Sequence, residues 1–224
     1  MLARLEQEKP DKVFFLGDAV GYGANPSDCL QAIAETADLV LAGNHDYAAA
    51  GAIPLVFFND LAKEAIFWTR TQLSSEEKLY LKNLPVILRL PTICLAHASP
   101  RRPAEWRYIL TEEDAAENFP YFASPVCFVG HSHQPGIMVT DQSRRCWRSS
   151  SEVISMEEGY RYIINVGSAG QPRDYNPKGA YCLYDEQKKH IQIHRFEYNI
   201  QKAQQKIIQA GLPSALAERL SFGI

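Results

Sequence analysis

Polar side chains that can bind or polarise a ligand follow four short apolar runs of this 224-residue sequence. Short, nearly continuous apolar runs are typical of buried strands. The polar groups after them are Gly17-Asp18, Gly43-Asn44-His45-Asp46, His97, and Gly130-His131-Ser132-His133. In layered α/β folds, ligands bind just beyond the carboxyl ends of such strands. The pattern therefore predicts that these side chains serve one shared site.

The chemistry of this set is that of a metal centre. One carboxylate, one amide oxygen and three imidazoles can be drawn from it, with no thiolate among them, and such donors suit Mn, Fe, Zn or Co. A carboxylate can bridge two cations, and two ions about 3.5–4 Å apart are suited to phosphoester hydrolysis. Four of the six histidines lie in these strand-end segments, so chance is a poor explanation for the set.

The pair His131 and His133 sets a geometric condition. On an extended strand these two side chains would point to opposite faces, because side chains alternate along a strand. They can reach one site only if the strand has already turned. The preceding Gly130 permits such a turn, since glycine adopts backbone conformations that other residues avoid.

The elements that must position these residues alternate between strands and helices. A helix is predicted to start at Pro26 with Asn25 as its cap, between strands at 13–17 and 38–42. This order favours a parallel connection of the two strands. A capping box at 74–77 starts another helix. Strands at 86–90 and 92–96 are predicted to form an antiparallel pair, because they follow each other closely. Further strands are predicted at 136–140, 152–156, 161–165, 180–184 and 190–197, and further helices at 1–8, 59–73, 200–210 and 214–220.

Composition excludes several other classes of protein. The net charge of −3 does not favour general binding of nucleic acid, duplex included. No apolar run approaches the length of a membrane span, and no basic-then-apolar leader is present, so no membrane partner is expected. Five dispersed cysteines argue against a disulfide framework and favour the reducing cytoplasm.

The motifs in combination resemble the calcineurin-like metallophosphoesterase family. Matching stretches run from the first residues of the chain to the last. The segments 21–26 (Gly-Tyr-Gly-Ala-Asn-Pro) and 165–174 (Asn-Val-Gly-Ser-Ala-Gly-Gln-Pro-Arg-Asp) are similar to the small bacterial branch of that family, which includes phosphodiesterases and diadenosine-tetraphosphatase-like enzymes.

The resemblance implies a set of metal ligands. Asp18 would bridge two divalent ions, and Asn44, His97 and His131 would complete the site of one of them. His133 would belong to the other ion. Manganese is the expected metal, with Fe, Zn, Co or Ni as alternatives.

The resemblance also implies residues that act on the substrate. His45 would bind no metal and would instead serve the leaving group or the transition state, with Asp46 as its partner. Arg173 could reach the substrate. The implied partner is a small phosphorylated molecule.

One departure from the family pattern concerns the start of the chain. The family opens with a strand that ends in Asp-x-His and supplies two metal ligands, whereas residues 1–6 resemble the tail of the helix that follows that strand. We therefore expect residues 1–224 to be a single domain lacking its N-terminal strand, with the true start roughly twenty residues upstream.

The resemblance implies an α/β fold of two packed β-sheets flanked by helices, in a four-layer sandwich. The implied reaction is hydrolysis of a phosphoester by a dinuclear metal site, on a small nucleotide-like phosphodiester or polyphosphate. The alternative is a non-catalytic binding scaffold with an incomplete metal site, which the missing Asp-x-His favours. A lactamase-like metallohydrolase would need a compact His-x-His-x-Asp-His run, which this chain lacks.

Several segments permit two interpretations. The glycine-rich loop 21–23 is either an ordinary turn or a substrate contact. Segment 98–125 is predicted to include a loop that lies over the site, and its Arg101 and Arg102 either meet phosphate or lie at the surface. Asn165 and Asp174 either serve the site or only shape turns.

Overall fold

The computed structural model describes residues 1–224 and divides them into two compact units. Unit 1 comprises Met1–Val86 and Tyr198–Phe222, and unit 2 comprises Ile87–Glu197 and Gly223–Ile224. The assignment of the whole chain to a single domain stays a prediction.

Helices and strands alternate along the first half of the chain, and strands dominate the second half. The α-helices are α1 (Leu2–Glu8), α2 (Pro26–Thr36), α3 (Asn44–Ala49), α4 (Asp60–Gln72), α5 (Ser75–Asn83), α6 (Glu112–Asn118), α7 (Ile200–Gln209) and α8 (Ser214–Glu218). The strands are β1 (Phe14–Phe15), β2 (Leu39–Val40), β3 (Ile87–Arg89), β4 (Ile93–Ala96), β5 (Val126–Val129), β6 (Gly136–Thr140), β7 (Cys146–Arg148), β8 (Val153–Ser155), β9 (Arg161–Asn165), β10 (Gly179–Asp185) and β11 (His190–Phe196).

Unit 1 packs its helices around a short parallel ladder. Strands β1 and β2 pair in parallel, with Phe14 opposite Leu39 and Phe15 opposite Val40, as the strand–helix–strand order predicted. Two apolar clusters form its core, one around Leu30 and Leu81 and the other around Ile207. The ends of β1 and β2 therefore lie side by side, and the polar residues after them start from neighbouring positions.

Helix starts in unit 1 follow the local sequence signals, with one exception. The Ser74 hydroxyl accepts from the Glu77 amide, and the Glu77 carboxylate accepts from the Ser74 amide, which confirms the capping box before α5. Helix α2 begins at Pro26 as predicted, but the Asn25 side chain makes no capping bond. Its amide group instead accepts a hydrogen bond from the Lys206 ammonium, 2.8 Å away, because this charged donor competes with the helix amides.

Unit 2 is built on a six-stranded mixed sheet with the order β3-β4-β5-β9-β6-β7. Its central neighbours β4, β5 and β9 run parallel, and β3 pairs with β4 antiparallel, as predicted. Parallel neighbours end at the same edge of a sheet. His97 directly follows β4, His131 follows β5 by one residue, and Asn165 ends β9, so one edge gathers these three residues.

A second, three-stranded sheet of the order β10-β11-β8 lies in the same unit and is antiparallel throughout. The rings of Phe128 on β5 and Tyr184 on β10 are in contact, 5.5 Å between centroids, so the two sheets share apolar packing. On the six-stranded sheet, helix α6 and the turn after it pack Ala115, Phe119 and Phe122 against buried strand residues. The predicted α/β class, with sheets and helices packed together, is confirmed.

All five cysteines are free thiols, as their dispersed positions predicted. Cys94 and Cys127 are fully buried neighbours on β4 and β5. Burial raises the pKa of the Cys127 thiol well above its ordinary value and raises the pKa of Cys182 to about 12.

No helix of the chain combines the length and the apolar character that a membrane crossing needs.

Candidate metal centre

The predicted site residues of unit 1 form a cluster of Asp18, Asn44, His45 and Asp46, here called the carboxylate cluster. Asp18 follows β1 in a left-handed backbone conformation, with φ 57°. That conformation is unfavourable for a residue with a side chain and is typical of functional sites. The Asp18 carboxylate accepts a hydrogen bond from the His45 amide at 3.0 Å, so it faces the start of α3.

Asp46 holds the backbone of this cluster together. Its carboxylate is fully buried and accepts hydrogen bonds from the amides of Asp18, Gly43 and Val20 at 2.7, 2.8 and 3.2 Å. These hydrogen bonds stabilise the ionised Asp46 carboxylate and compensate for the hydration that it loses on burial. One carboxylate thus ties the loop after β1 to the loop after β2. The predicted pairing of Asp46 with the His45 side chain stays a prediction.

Gly43 is required by the close approach of Asp18. A Cβ atom built on Gly43 would lie 2.0 Å from the Asp18 carboxylate oxygen, far inside van der Waals contact. Gly43 precedes α3, so Asn44, His45 and Asp46 are the first three residues of that helix. The glycine of the Gly-Asn-His-Asp motif therefore leaves room for the carboxylate, and the helix fixes the three residues that follow.

Asn44 presents an oxygen that fits a cation. Its side-chain Oδ1 is buried and has no hydrogen-bond partner within the protein. Buried amide oxygens are almost always satisfied, and leaving one without a donor is costly. A metal ion would satisfy this oxygen, and the hard amide donor suits the metals expected from the sequence.

His45 is enclosed by aromatic rings. It is 5% exposed, its ring centroid lies 4.3 Å from that of Tyr22, and the Phe58 ring meets it edge-on at 5.2 Å. A Cβ on Gly21 would come within 2.4 Å of its Nδ1 atom, so only glycine fits there. Loop 21–23 is therefore more than a connecting turn, because it forms one wall of the His45 pocket. Nothing in the sequence pointed to Phe58.

In unit 2, the histidine cluster consists of His97, His131 and His133, all buried. The Nε2 atom of His97 and the Nδ1 atom of His131 are 3.2 Å apart. Two imidazole nitrogens bound to one ion at about 2.1 Å, with angles of about 90–109°, would be about 3.0–3.4 Å apart. The two nitrogens are therefore spaced as ligands of a common metal would be.

The chain turns directly after β5, and the left-handed conformations of this turn do not fall on Gly130. Left-handed φ values of 43° and 59° fall on the two histidines themselves. Gly130 still continues the strand pairing, since its amide donates to the His97 carbonyl at 2.9 Å. The turn therefore does not use a left-handed glycine, and the unfavourable conformations lie on the predicted ligands.

Asn165 stabilises this turn from the neighbouring strand. Its side-chain amide donates to the Gly130 carbonyl and to the Ser132 hydroxyl, both at 2.8 Å. Its Oδ1 accepts from the Gly167 amide at 2.9 Å. Asn165 lies opposite Val129 in the ladder, which places it beside the turn. Of the two interpretations of Asn165, the geometry supports the shaping of turns.

The orientation of His133 is set by segment 171–173. The His133 Nδ1 atom lies 2.6 Å from the Gln171 carbonyl oxygen, so it acts as the donor, and in the neutral ring Nε2 carries the lone pair. The Arg173 amide donates back to the His133 carbonyl, and the Arg173 Nε donates to the Gln171 side chain at 2.8 Å. Arg173 is thus anchored next to His133. Asp174 pairs with Arg195 and fixes the same segment.

The loop after β4 covers the histidine cluster, as predicted for segment 98–125. The Tyr108 ring stacks on His131 with 4.4 Å between centroids and 12° between planes. The Trp106 ring meets His97 edge-on at 5.9 Å. Arg101 and Arg102 are paired with Glu117 and Glu105, which supports their interpretation as surface residues.

Comparison with known proteins defines the class of protein. The family described as "Calcineurin-like phosphoesterase superfamily domain" matches residues 1–189. An uncharacterised protein of Methanocaldococcus jannaschii is 38% identical over 217 residues, which cover 95% of this chain and 86% of that protein. The chain therefore belongs to the calcineurin-like phosphoesterase family, whose members are metal-dependent and act on phosphorylated substrates.

Two solved structures are similar over the full length of this chain. A metallophosphoesterase of Sphaerobacter thermophilus has a TM-score of 0.85 and 36% identity, with 100% of this chain and 93% of that chain covered. A hypothetical protein of Pyrococcus horikoshii has a TM-score of 0.77, with 100% and 90% covered. At 19% identity the second similarity concerns the fold alone.

Proposed function

We propose that this protein hydrolyses a phosphoester with two divalent metal ions, on a small nucleotide-like phosphodiester or polyphosphate. The observation that carries the proposal is the buried pair of imidazole nitrogens of His97 and His131, 3.2 Å apart, in a chain of a metal-dependent phosphoesterase family. At this distance the two buried nitrogens can share one proton or one metal cation, but they cannot each carry a proton that points at the other.

The proposed ligands come from both clusters. By the family resemblance, Asp18, His97 and His131 would hold one ion, with Asn44 as a further ligand. The buried Oδ1 of Asn44 supports this role. Asp18 would also bridge to the second ion, which His133 would bind through Nε2. Manganese is the metal we expect, because the oxygen and imidazole donors suit it and no thiolate is present.

The two ions would supply Lewis acidity, which activates water and neutralises charge on the phosphoryl group. The protein's own residues divide the remaining tasks. His45 donates a proton to the leaving-group oxygen, and its enclosure by Tyr22 and Phe58 keeps the imidazole in place. Arg173 contacts a substrate phosphoryl oxygen, since a guanidinium held by Gln171 is already oriented.

Five free thiols fit a reducing compartment, and we infer a cytoplasmic location.

The test is manganese-dependent release of nitrophenol from bis(p-nitrophenyl) phosphate. We expect release that stops on chelation with EDTA and returns with Mn²⁺. A parallel assay with p-nitrophenyl phosphate compares diester with monoester. Tight binding of manganese without release from either compound would contradict hydrolysis and support the binding scaffold.

A further inference from the structure

The rings of Tyr22 and Phe58 border the His45 imidazole in unit 1, and Phe57 precedes Phe58 in the chain; these three residues are here called the aromatic collar. Tyr22 and Phe58 contact the imidazole directly, from two directions. The Arg219 guanidinium lies over the Tyr22 ring at 4.2 Å and holds that ring in place by a cation–π contact. Two groups that contact the proposed proton donor are therefore planar rings, which can pack against a flat ligand.

The collar continues into an exposed apolar loop tip. Phe57 is 91% exposed and its neighbour Val56 is 71% exposed. The tip is a defined turn, because the Phe58 amide donates to the Leu55 carbonyl at 3.0 Å, and Asn59 then caps α4. Large apolar side chains held in water on an ordered turn are unfavourable unless something covers them, so such patches mark binding sites.

We propose that the collar binds the leaving group of the substrate and that this leaving group is a nucleoside. The inference rests on the proposed function, in which His45 protonates the leaving-group oxygen. Any group attached to that oxygen must lie within a few bonds of His45. The neighbours it meets there are aromatic rings, which favour a flat base over an alkyl chain or a sugar alone.

The test compares two substrates that differ only in the base. Diadenosine 5′,5′-monophosphate and its abasic counterpart, the 5′,5′-phosphate of two 1-O-methylribose units, have leaving oxygens of the same chemistry. The ratio of their kcat/KM values therefore reports on the base. We expect the wild type to prefer the base-bearing diester by about tenfold or more, in the range that stacking on aromatic rings contributes.

The variants are Phe57→Leu and the double variant Phe57→Leu/Phe58→Leu, which keep apolar bulk but remove the flat rings. We expect the preference to fall about tenfold in the double variant. The matched control is Phe67→Leu, since Phe67 is also exposed, at 57%, and its ring contacts Arg70 instead. This control should leave the ratio unchanged. Because Phe57 contributes nothing to the core, the single variant tests the idea even if the double variant is unstable.

A second measurement does not depend on activity. Calorimetric titration of adenosine into the metal-free protein should show binding that Phe57→Leu weakens and Phe67→Leu does not. If neither diester is hydrolysed but this difference is seen, the proposed reaction fails and the nucleoside site stands. Hydrolysis of both diesters at equal rates in the wild type would overturn the nucleoside assignment. So would a dimer in sedimentation that Phe57→Leu converts to monomer, because the loop tip would then be covered by a second copy.

Discussion

At the scale of single residues, several of the residues that the sequence singled out carry unfavourable features. Asp18, His131 and His133 all adopt left-handed backbone conformations, and the Asn44 oxygen is buried without a donor. Such features persist only where surrounding contacts hold them. For Asp18 the holding contacts come from Asp46, and for the histidines they come from Asn165 and Gln171.

The role of His45 can be separated from metal binding. His45→Asn should retain bound manganese while turnover falls by about 10²–10⁴-fold, the usual range for a positioned proton donor. His190→Asn, on β11, is the matched control and should keep full turnover. Metal content by elemental analysis decides the assignment, since loss of manganese in His45→Asn would identify His45 as a ligand.

The bridging role of Asp18 predicts a difference between two ligand substitutions. Asp18→Ala should abolish activity and weaken both metal sites, because it removes a negative charge that two cations share. Asn44→Ala removes a neutral donor and should weaken one site only. Metal stoichiometry after dialysis measures both effects. A variant Asp18→Ala with two tightly bound ions and a normal rate would rule out the dinuclear site.

Asp46 should matter for the stability of unit 1 as much as for activity. Asp46→Asn keeps the shape but replaces an anionic acceptor of three backbone amides with a neutral side chain. We expect a loss of about 2–3 kcal/mol in the free energy of unfolding, since hydrogen bonds to charged groups are the strong ones. Asp60→Asn, at a fully exposed carboxylate, should change little. Urea denaturation compares the two, and equal midpoints would show that the Asp46 charge is not needed.

At the scale of elements, the histidine cluster depends on parallel pairing. Strands β4, β5 and β9 are neighbours, so His97, His131 and Asn165 meet at one edge although they are far apart in the chain. The side chain of Asn165 then reaches across the ladder to the turn after β5. The sheet thus supplies both the ligands and the group that orients them.

This arrangement predicts that Asn165→Ala impairs metal binding without touching a ligand. The substitution leaves the Gly130 carbonyl and the Ser132 hydroxyl without their donor, so the strained turn loses its support. We expect manganese affinity to fall by about 10–100-fold, as for other residues that orient metal ligands. Asn83→Ala, at the exposed end of α5, is the control. Unchanged affinity in a folded Asn165→Ala protein would show that the turn supports itself.

At the scale of the whole molecule, metal binding should appear as thermal stability. A ligand that binds only the folded state at about 100 times its Kd adds about 2.7 kcal/mol, which corresponds to a rise of about 5–10 °C in Tm for a chain of this length. We expect Mn²⁺ to produce such a rise and EDTA to reverse it. The Asp18→Ala protein should not respond, and an equal rise in that variant would indicate binding elsewhere.

The sequence by itself determined the class of site and the order of elements. Its signals are local: an apolar run followed by Gly-Asp or by Gly-Asn-His-Asp, a capping box at Ser74, a proline that starts α2. Each is read from neighbouring residues, because strands, caps and turns are governed by short-range sterics and hydrogen bonds. The family, the α/β class, the parallel pairing of β1 with β2 and the antiparallel pairing of β3 with β4 followed from them.

Only the tertiary structure decided which distant groups meet these residues. Asp46 bonds the amide of Asp18, 28 positions earlier, and Asn165 reaches a turn more than thirty positions before it. The ring of Phe58 comes from a loop whose sequence carries no signal for His45. Partners of this kind are chosen by how strands and loops pack, and local spacing does not encode them. The tertiary structure likewise decided that the positive φ values of this turn fall on His131 and His133 and not on Gly130, whose amide is held by the His97 carbonyl.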